Sequence, residues 1–270
     1  WRTNNISAFL KEVSTRVRAV KPHILVSAAP LGKLRVLPAM PNVGWTARGS
    51  VFQDPAVWYR EGSVDFIVPM MYYRDNLFDP FLADWKAQIP GLPIVPGLAP
   101  YRIEDESKWT ARDIENQMNA SERLGMAGVC FYRELNIRPN RNGVDRVISR
   151  HFTAPARMPS FAKRGANRPP RPSRLTIEDR GQYLEASWTM PSSWNSSKGT
   201  FNLYVSVPEG NLAGENFLLA TLIPSTRYTF SKELLQPFSR AKTLQFRVEA
   251  SSRSYVRGEA SEAAILVKGN

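Results

Sequence analysis

Four short apolar runs alternate with helical patterns over the first 150 residues, and then the alternation stops. The runs cover residues 24–29, 65–73, 94–98 and 128–132, and each leads into polar or aromatic residues. A strand followed by a helix, repeated at this spacing, builds a parallel sheet with helices packed on it. Four such units are half of an eight-stranded (β/α)8 barrel, a fold that needs roughly 200 residues or more. The pattern therefore predicts the C-terminal half of a TIM-type barrel, strands five to eight, with a different domain behind it. The first residues read as mid-helix, so a fragment is expected, with any chemistry carried by the first four strands lying outside it.

Within the alternating region, Ile6, Phe9, Val13, Val17 and Val20 recur at helical steps and predict one apolar face of a first helix, closed by Lys21-Pro22. Asp54-Pro55 and Asp79-Pro80 read as helix starts with an Asp N-cap and a proline in the first turn. Thr110 is expected to cap the next helix, which should end at Gly125 in a left-handed conformation. The long Pro- and Gly-rich loop between residues 30 and 51 directly follows a strand, where barrel enzymes place active-site loops.

From Met158 the pattern changes. Residues 158–174 carry Pro159, Pro169, Pro170 and Pro172 among Lys163, Arg164, Arg168, Arg171 and Arg174, which reads as an extended linker. Beyond it, alternating runs at 183–188, 200–205, 217–222, 227–230, 243–250 and 263–267 are separated by turn residues. About 100 residues with this spacing predict an all-β sandwich. The expected domains are thus 1–157, a linker over 158–174, and 175–270.

Charge and cysteine content restrict the function classes. The net charge of +12 is spread evenly, six units on each side of residue 157, with no nucleic-acid-binding motif beside it, so no specific nucleic acid is expected. The single cysteine, Cys130, excludes an internal disulfide framework and a Cys-rich zinc site, and its apolar run predicts a buried thiol. His23 and His151 are too few and too far apart to build a metal site, so neither a metal nor a cofactor is expected. No apolar run reaches the roughly 20 residues of a membrane span.

Both halves also carry family-like motifs. The second half resembles a fibronectin type III domain, through Pro169-Pro170 and Pro172 before the first strand, Leu184 and Trp188, Leu203-Tyr204-Val205, the run from Thr226 to Phe230, and the run from Phe246 to Ala250. The first half resembles the glycosyl hydrolase-like family 10 proteins. The matching stretches begin at Trp1-Arg2-Thr3-Asn4-Asn5 and Ser27-Ala28-Ala29-Pro30-Leu31-Gly32. They continue through Trp58-Tyr59-Arg60-Glu61-Gly62, the run from Val64 to Tyr73, the run from Pro96 to Ile103, and the run from Ala127 to Arg133. This resemblance implies a bacterial, secreted or lipoprotein hydrolase, extracytoplasmic in location, acting on a polysaccharide or peptidoglycan-type glycan. It also implies that an acidic motif at an upstream strand supplies the family's main carboxylates.

Glycoside hydrolysis usually uses two carboxyl groups flanking the bond, and barrel enzymes hold them at the C-terminal ends of strands. Glu134 directly follows the fourth run and is the catalytic candidate; pairing with Arg133 or Arg138 is its structural alternative. Asp75 is a weaker candidate, and Asp65, at a strand entry, reads as a structural hydrogen bonder. Sugar rings present apolar faces with hydroxyl edges, which suits aromatic platforms with polar neighbours. Trp45, Tyr72, Tyr73, Arg74, Tyr101 and Arg102 are the substrate-binding candidates, and side-chain alternation forbids Tyr72 and Tyr73 from sharing a face. The two arginines could recognise a carboxylate. The isolated chain is expected to be inactive and to need the missing half-barrel or another copy to cover its sheet edges. A non-catalytic glycan-binding or adhesion protein, or an interaction module using the sandwich and basic linker, are the rival readings.

Overall fold

The computed structural model describes residues 1–106, 108–139, 141–161, 168–194, 196–208 and 215–268. Lys163 and Arg164 of the basic linker lie outside the described residues. The chain divides into two compact units, Trp1–Thr153 and Ala154–Asn270.

The first unit opens with helix α1 (Arg2–Val20). Strand β1 (Ser27–Ala28) then precedes helices α2 (Ala47–Val51) and α3 (Pro55–Arg60). Strand β2 (Phe66–Ile67) is followed by α4 (Asp79–Gln88), and β3 (Gly97–Leu98) by α5 (Arg102–Asp105) and α6 (Ala111–Arg123). Strand β4 (Cys130–Phe131) leads to α7 (Val144–His151). β1 pairs β2 in parallel, with Ser27 opposite Phe66. Parallel bridges Ile67–Ile94 and Met70–Gly97 carry the pairing onward, and β3 pairs β4 in parallel with Gly97 opposite Cys130. The strands therefore run in spatial order 1-2-3-4, all parallel, as the alternation requires. Ile67, Met71, Leu98, Trp85, Phe81 and Ile114 are fully buried between this sheet and the helices.

Local details depart from the sequence reading in three places. On α1 it is Ile6 and Leu10 that pack on the core, with Ser14 buried, while Phe9 is 70% and Val20 79% exposed. The inward face is the row 6, 10, 14, 18, which ends in Arg18 bonded to Asp65 at 3.0 Å and to the Gly62 carbonyl. Asp65 also accepts the Val26 amide at 2.7 Å, so the strand entry is tied down by a buried carboxylate of the structural kind. Neither Asp54 nor Asp79 caps a helix through its side chain; Asp54 pairs with Arg48 and Asp79 with Arg123. Cys130 is exposed, not buried, because its neighbours Val129 and Phe131 take the core-facing positions of β4. Thr110, by contrast, forms the expected cap with Asp113, and Gly125 follows the helix at φ +64°.

The second unit is an antiparallel two-sheet arrangement. β5 (Ser173–Asp179), β6 (Tyr183–Thr189) and β9 (Arg227–Ser231) form one sheet in the order 5-6-9. β7 (Gly199–Ser206), β8 (Phe217–Ile223), β10 (Thr243–Ser252), β11 (Arg257–Ala260) and β12 (Ala264–Val267) form the other, with β10 central beside β7. Leu184, Ala186, Trp188, Leu203, Phe246 and Val248 from both sheets fill its core. β5 and β11 are absent from the runs read in the sequence: β5 contributes only Leu175 and Ile177 to the core, and β11 carries Arg257, Gly258 and Glu259. Phe161, inside the expected linker, is buried and donates its amide to the Ser254 carbonyl at 2.9 Å, so that segment is partly docked on the second unit.

Candidate functional site

The parallel register fixes which residues meet at the strand exits. Met70, Gly97 and Cys130 stand level across the ladders. Tyr72 follows Met70 by two residues, Tyr132 directly follows β4, and Tyr101 and Glu134 open the helical turns that come next. All four therefore lie beyond the same, C-terminal, end of the sheet. Side-chain alternation sends Met71 into the helix-facing core and Tyr72 to the opposite face.

There Tyr72, Tyr101 and Tyr132 form a triangle with ring centroids 5.8, 5.9 and 5.8 Å apart. Tyr72 and Tyr132 are nearly parallel at 26°, and Tyr101 stands edge-on to both at 85° and 88°. The middle of such a triangle is only about 3.4 Å from each ring, too close for a caged cation, so the rings form a packed aromatic wall. Its outer member, Tyr132, is 53% exposed. Burial first, and then the neighbouring Tyr101, Cys130 and Tyr132, push the Tyr72 hydroxyl up to about 12. At neutral pH that hydroxyl stays protonated and able to donate as well as accept a hydrogen bond.

The other predicted residues divide. Tyr73 turns to the core side, where the Lys33 ammonium lies 4.3 Å above its ring centroid, and burial raises its pKa. Arg102 pairs with Glu106 and lies over the rings of Tyr101, at 5.8 Å, and Trp109, at 5.7 Å. Arg74 donates to the Lys108 carbonyl and lies 3.4 Å from Asp75 and 3.9 Å from Asp113. Both guanidinium charges are thus matched by acids of the same unit. Trp45 is 72% exposed on an ordered loop: Lys33 Nζ donates to the Val43 carbonyl, and the Ala47 amide donates to the Lys33 carbonyl at 2.7 Å.

Glu134 opens a short 3-10 turn, Glu134–Ile137, and receives two bonds from Arg138, at 2.8 and 3.1 Å. Arg138 holds this exposed carboxylate below the usual range, which keeps it ionised at neutral pH and suits a base, nucleophile or charge stabiliser better than an acid. Nearby, Glu104 accepts from Arg141 at 2.5 and 2.7 Å, and these bonds, with help from Asn136, lower it to about 2. A depressed carboxylate pKa contributes stability above the unfolded value, roughly 4.3, which is lost as pH falls through the folded one. The Glu104→Gln variant is therefore expected to show a flatter decline of melting temperature between pH 4 and pH 2 than the parent. An unchanged decline would show that the Glu104–Arg141 pair does not contribute.

Tyr132 was missed as a site residue in the sequence, although it ends its strand as Tyr72 and Tyr101 follow theirs. That recurrence of tyrosine at three consecutive exits is the signal that identifies it. Among the described residues no group of three or more His, Cys, Asp or Glu could hold a metal ion. Nor, among them, is any helix long and apolar enough to cross a membrane.

Comparison with known proteins places these features. The glycosyl hydrolase YngK of Bacillus subtilis is 21% identical over 203 residues, 68% of this chain and 40% of its own length. The glycosyl hydrolase DigH of Escherichia coli K12 is 24% identical over 172 residues, 56% of this chain and 39% of its own length. The matched stretch is thus about two fifths of these relatives. A human fibronectin type-III domain is 19% identical, with a TM-score of 0.29, over 38% of this chain and 89% of that domain. The strand pairing above, not that score, is what describes the sandwich. The family that the first-unit motifs resemble is the one whose model matches residues 1–89: Glycosyl hydrolase-like 10.

Proposed function

We propose that the first unit is one arc of a (β/α)8 glycosidase barrel, that its strand exits form part of a glycan cleft, and that the sandwich is a spacer or docking module. The observation that carries this reading is the wall of Tyr72, Tyr101 and Tyr132 beyond the C-terminal ends of three parallel strands. The match of residues 1–89 to a glycosyl hydrolase-like family supports it. The substrate is a polysaccharide or peptidoglycan-type glycan and the location is extracytoplasmic. Trp45 and the tyrosines supply ring faces; Arg74 and Arg102 shape the cleft's polar margin. Glu134 is the carboxylate assigned to the reaction, as base or charge stabiliser. The second carboxyl group comes from the part of the barrel that completes the arc, either a preceding half or another copy.

On this reading the isolated chain binds glycans without cleaving them, and the experiment is product analysis of cell-wall and plant polysaccharides incubated with the chain. No reducing ends above background are expected. Turnover that Glu134→Gln abolishes would overturn the assignment of the second carboxyl to another segment. The ion pairing of Glu134 with Arg138 favours one rival, a glycan-binding protein without catalysis. If a longer form carrying a complete barrel also binds glycan without product, that rival is correct.

A further inference from the structure

The second unit contains a pocket that plays no part in the glycan reading. It has a volume of about 350 Å³ and lies between β6, β12 and the 3-10 turn Lys232–Phe238. Leu184 and Leu235, both nearly fully buried, and Leu266 give it an aliphatic lining. Its polar margin carries the charged Asp179, Lys232 and Lys268 beside the neutral Gln236 and Ser239. These charges do not cancel. Lys232 Nζ donates to Asp179 at 2.7 Å, and Asp179 also accepts the Gly181 amide at 2.8 Å, so that pair is neutral. Among the described residues, Lys268 Nζ is held by a carbonyl alone, that of Phe238, at 2.7 Å. An ammonium has three donors, so among the described residues Lys268 keeps donors to spare and leaves the margin one positive charge in excess.

We propose that this pocket binds an aliphatic carboxylate, with the alkyl chain on Leu184, Leu235 and Leu266 and the carboxylate on Lys268. No aromatic ring lines the pocket among the described residues, which removes the platform a sugar ring would use. A lysine with no acid beside it among the described residues selects a single negative charge, and leucine walls select methylene groups over hydroxyls. The volume corresponds to roughly a dozen water molecules, room for a chain of about six to eight carbons with its headgroup.

The test is an amide-shift titration of the full chain with sodium octanoate, 1-octanol and sodium acetate. Saturable shifts confined to residues 179–184, 232–239 and 264–268 are expected with octanoate, with at least tenfold weaker binding of octanol and none of acetate. Lys268→Gln should reduce octanoate to the level of octanol, and Lys268→Arg should restore the preference. The dispersion of the remaining signals reports that each variant is folded. Absence of saturable octanoate shifts in the parent, equal affinity for octanoate and octanol, or an unchanged titration in Lys268→Gln would each overturn the proposal. Because Lys268 is far in sequence from the tyrosine wall and belongs to the other unit, failure here leaves the glycan reading untouched.

Discussion

Gly32→Ala is expected to destabilise the first unit by about 3 kcal/mol, the sum of an overpacking cost and lost loop hydrogen bonds. A methyl group at Gly32 would lie 2.2 Å from the Met70 carbonyl oxygen, 2.8 Å from its carbonyl carbon and 2.7 Å from the Tyr73 ring. Two of these are backbone atoms of the strand exit, and the loop cannot retreat freely. Met70 donates its amide to the Pro30 carbonyl at 2.9 Å, and the indole of Trp85 donates to the Gly32 carbonyl at 2.6 Å. Moving the loop outward would break both bonds, one of them from a buried tryptophan. Urea unfolding followed by tryptophan fluorescence checks this. A loss below 1 kcal/mol would mean that the loop does not approach β2 as closely as described.

The largest functional effect is expected from Tyr101→Ala. This ring stands edge-on to both other tyrosines, so removing it takes away two aromatic contacts, each worth roughly 0.5–1.5 kcal/mol. Tyr72 and Tyr132 would then have no cross-brace. Glycan affinity should fall at least tenfold, about 1.4 kcal/mol, whereas Tyr101→Phe keeps the packing and should lose much less. Isothermal titration with oligosaccharides of cell-wall and plant origin separates these outcomes. Equal losses in both variants would shift the role from the ring to the hydroxyl.

Much of this arrangement is legible in the sequence because it depends on local periodicity. Parallel strand order follows from the alternation of runs and helices, and Trp188 falls in the sandwich core where its alternating strand puts it. The Thr110 cap is likewise visible, since Thr110 and Asp113 have capping-box spacing. What local pattern does not determine is which of two apolar faces is used. Helix α1 carries apolar side chains on both the 6-10 row and the 9-13-17-20 row, and the first is the one used through tertiary contacts, the packing of Ile6 and Leu10 on the core, the Trp58 indole on Ser7 and Asp65 opposite Arg18. Cys130 fails for a related reason: an apolar run does not say which of its faces meets the helices. The charge of Arg74 reads as available because Asp113 is brought close only by the fold, whereas the partner of Arg102, Glu106, stands four residues on and the pair is already present in the sequence spacing.

Sugar contact by the wall of Tyr72, Tyr101 and Tyr132 is the centre of the proposed function. The most direct measurement is a titration of the full chain, with tyrosine rings selectively labelled for NMR, against the same oligosaccharides. Saturable shifts are expected at Tyr72, Tyr101 and Tyr132 together, with the same midpoint and with Tyr183 and Tyr228 of the sandwich unmoved. Saturable binding that leaves those three rings unshifted, or shifts only sandwich tyrosines, would contradict it.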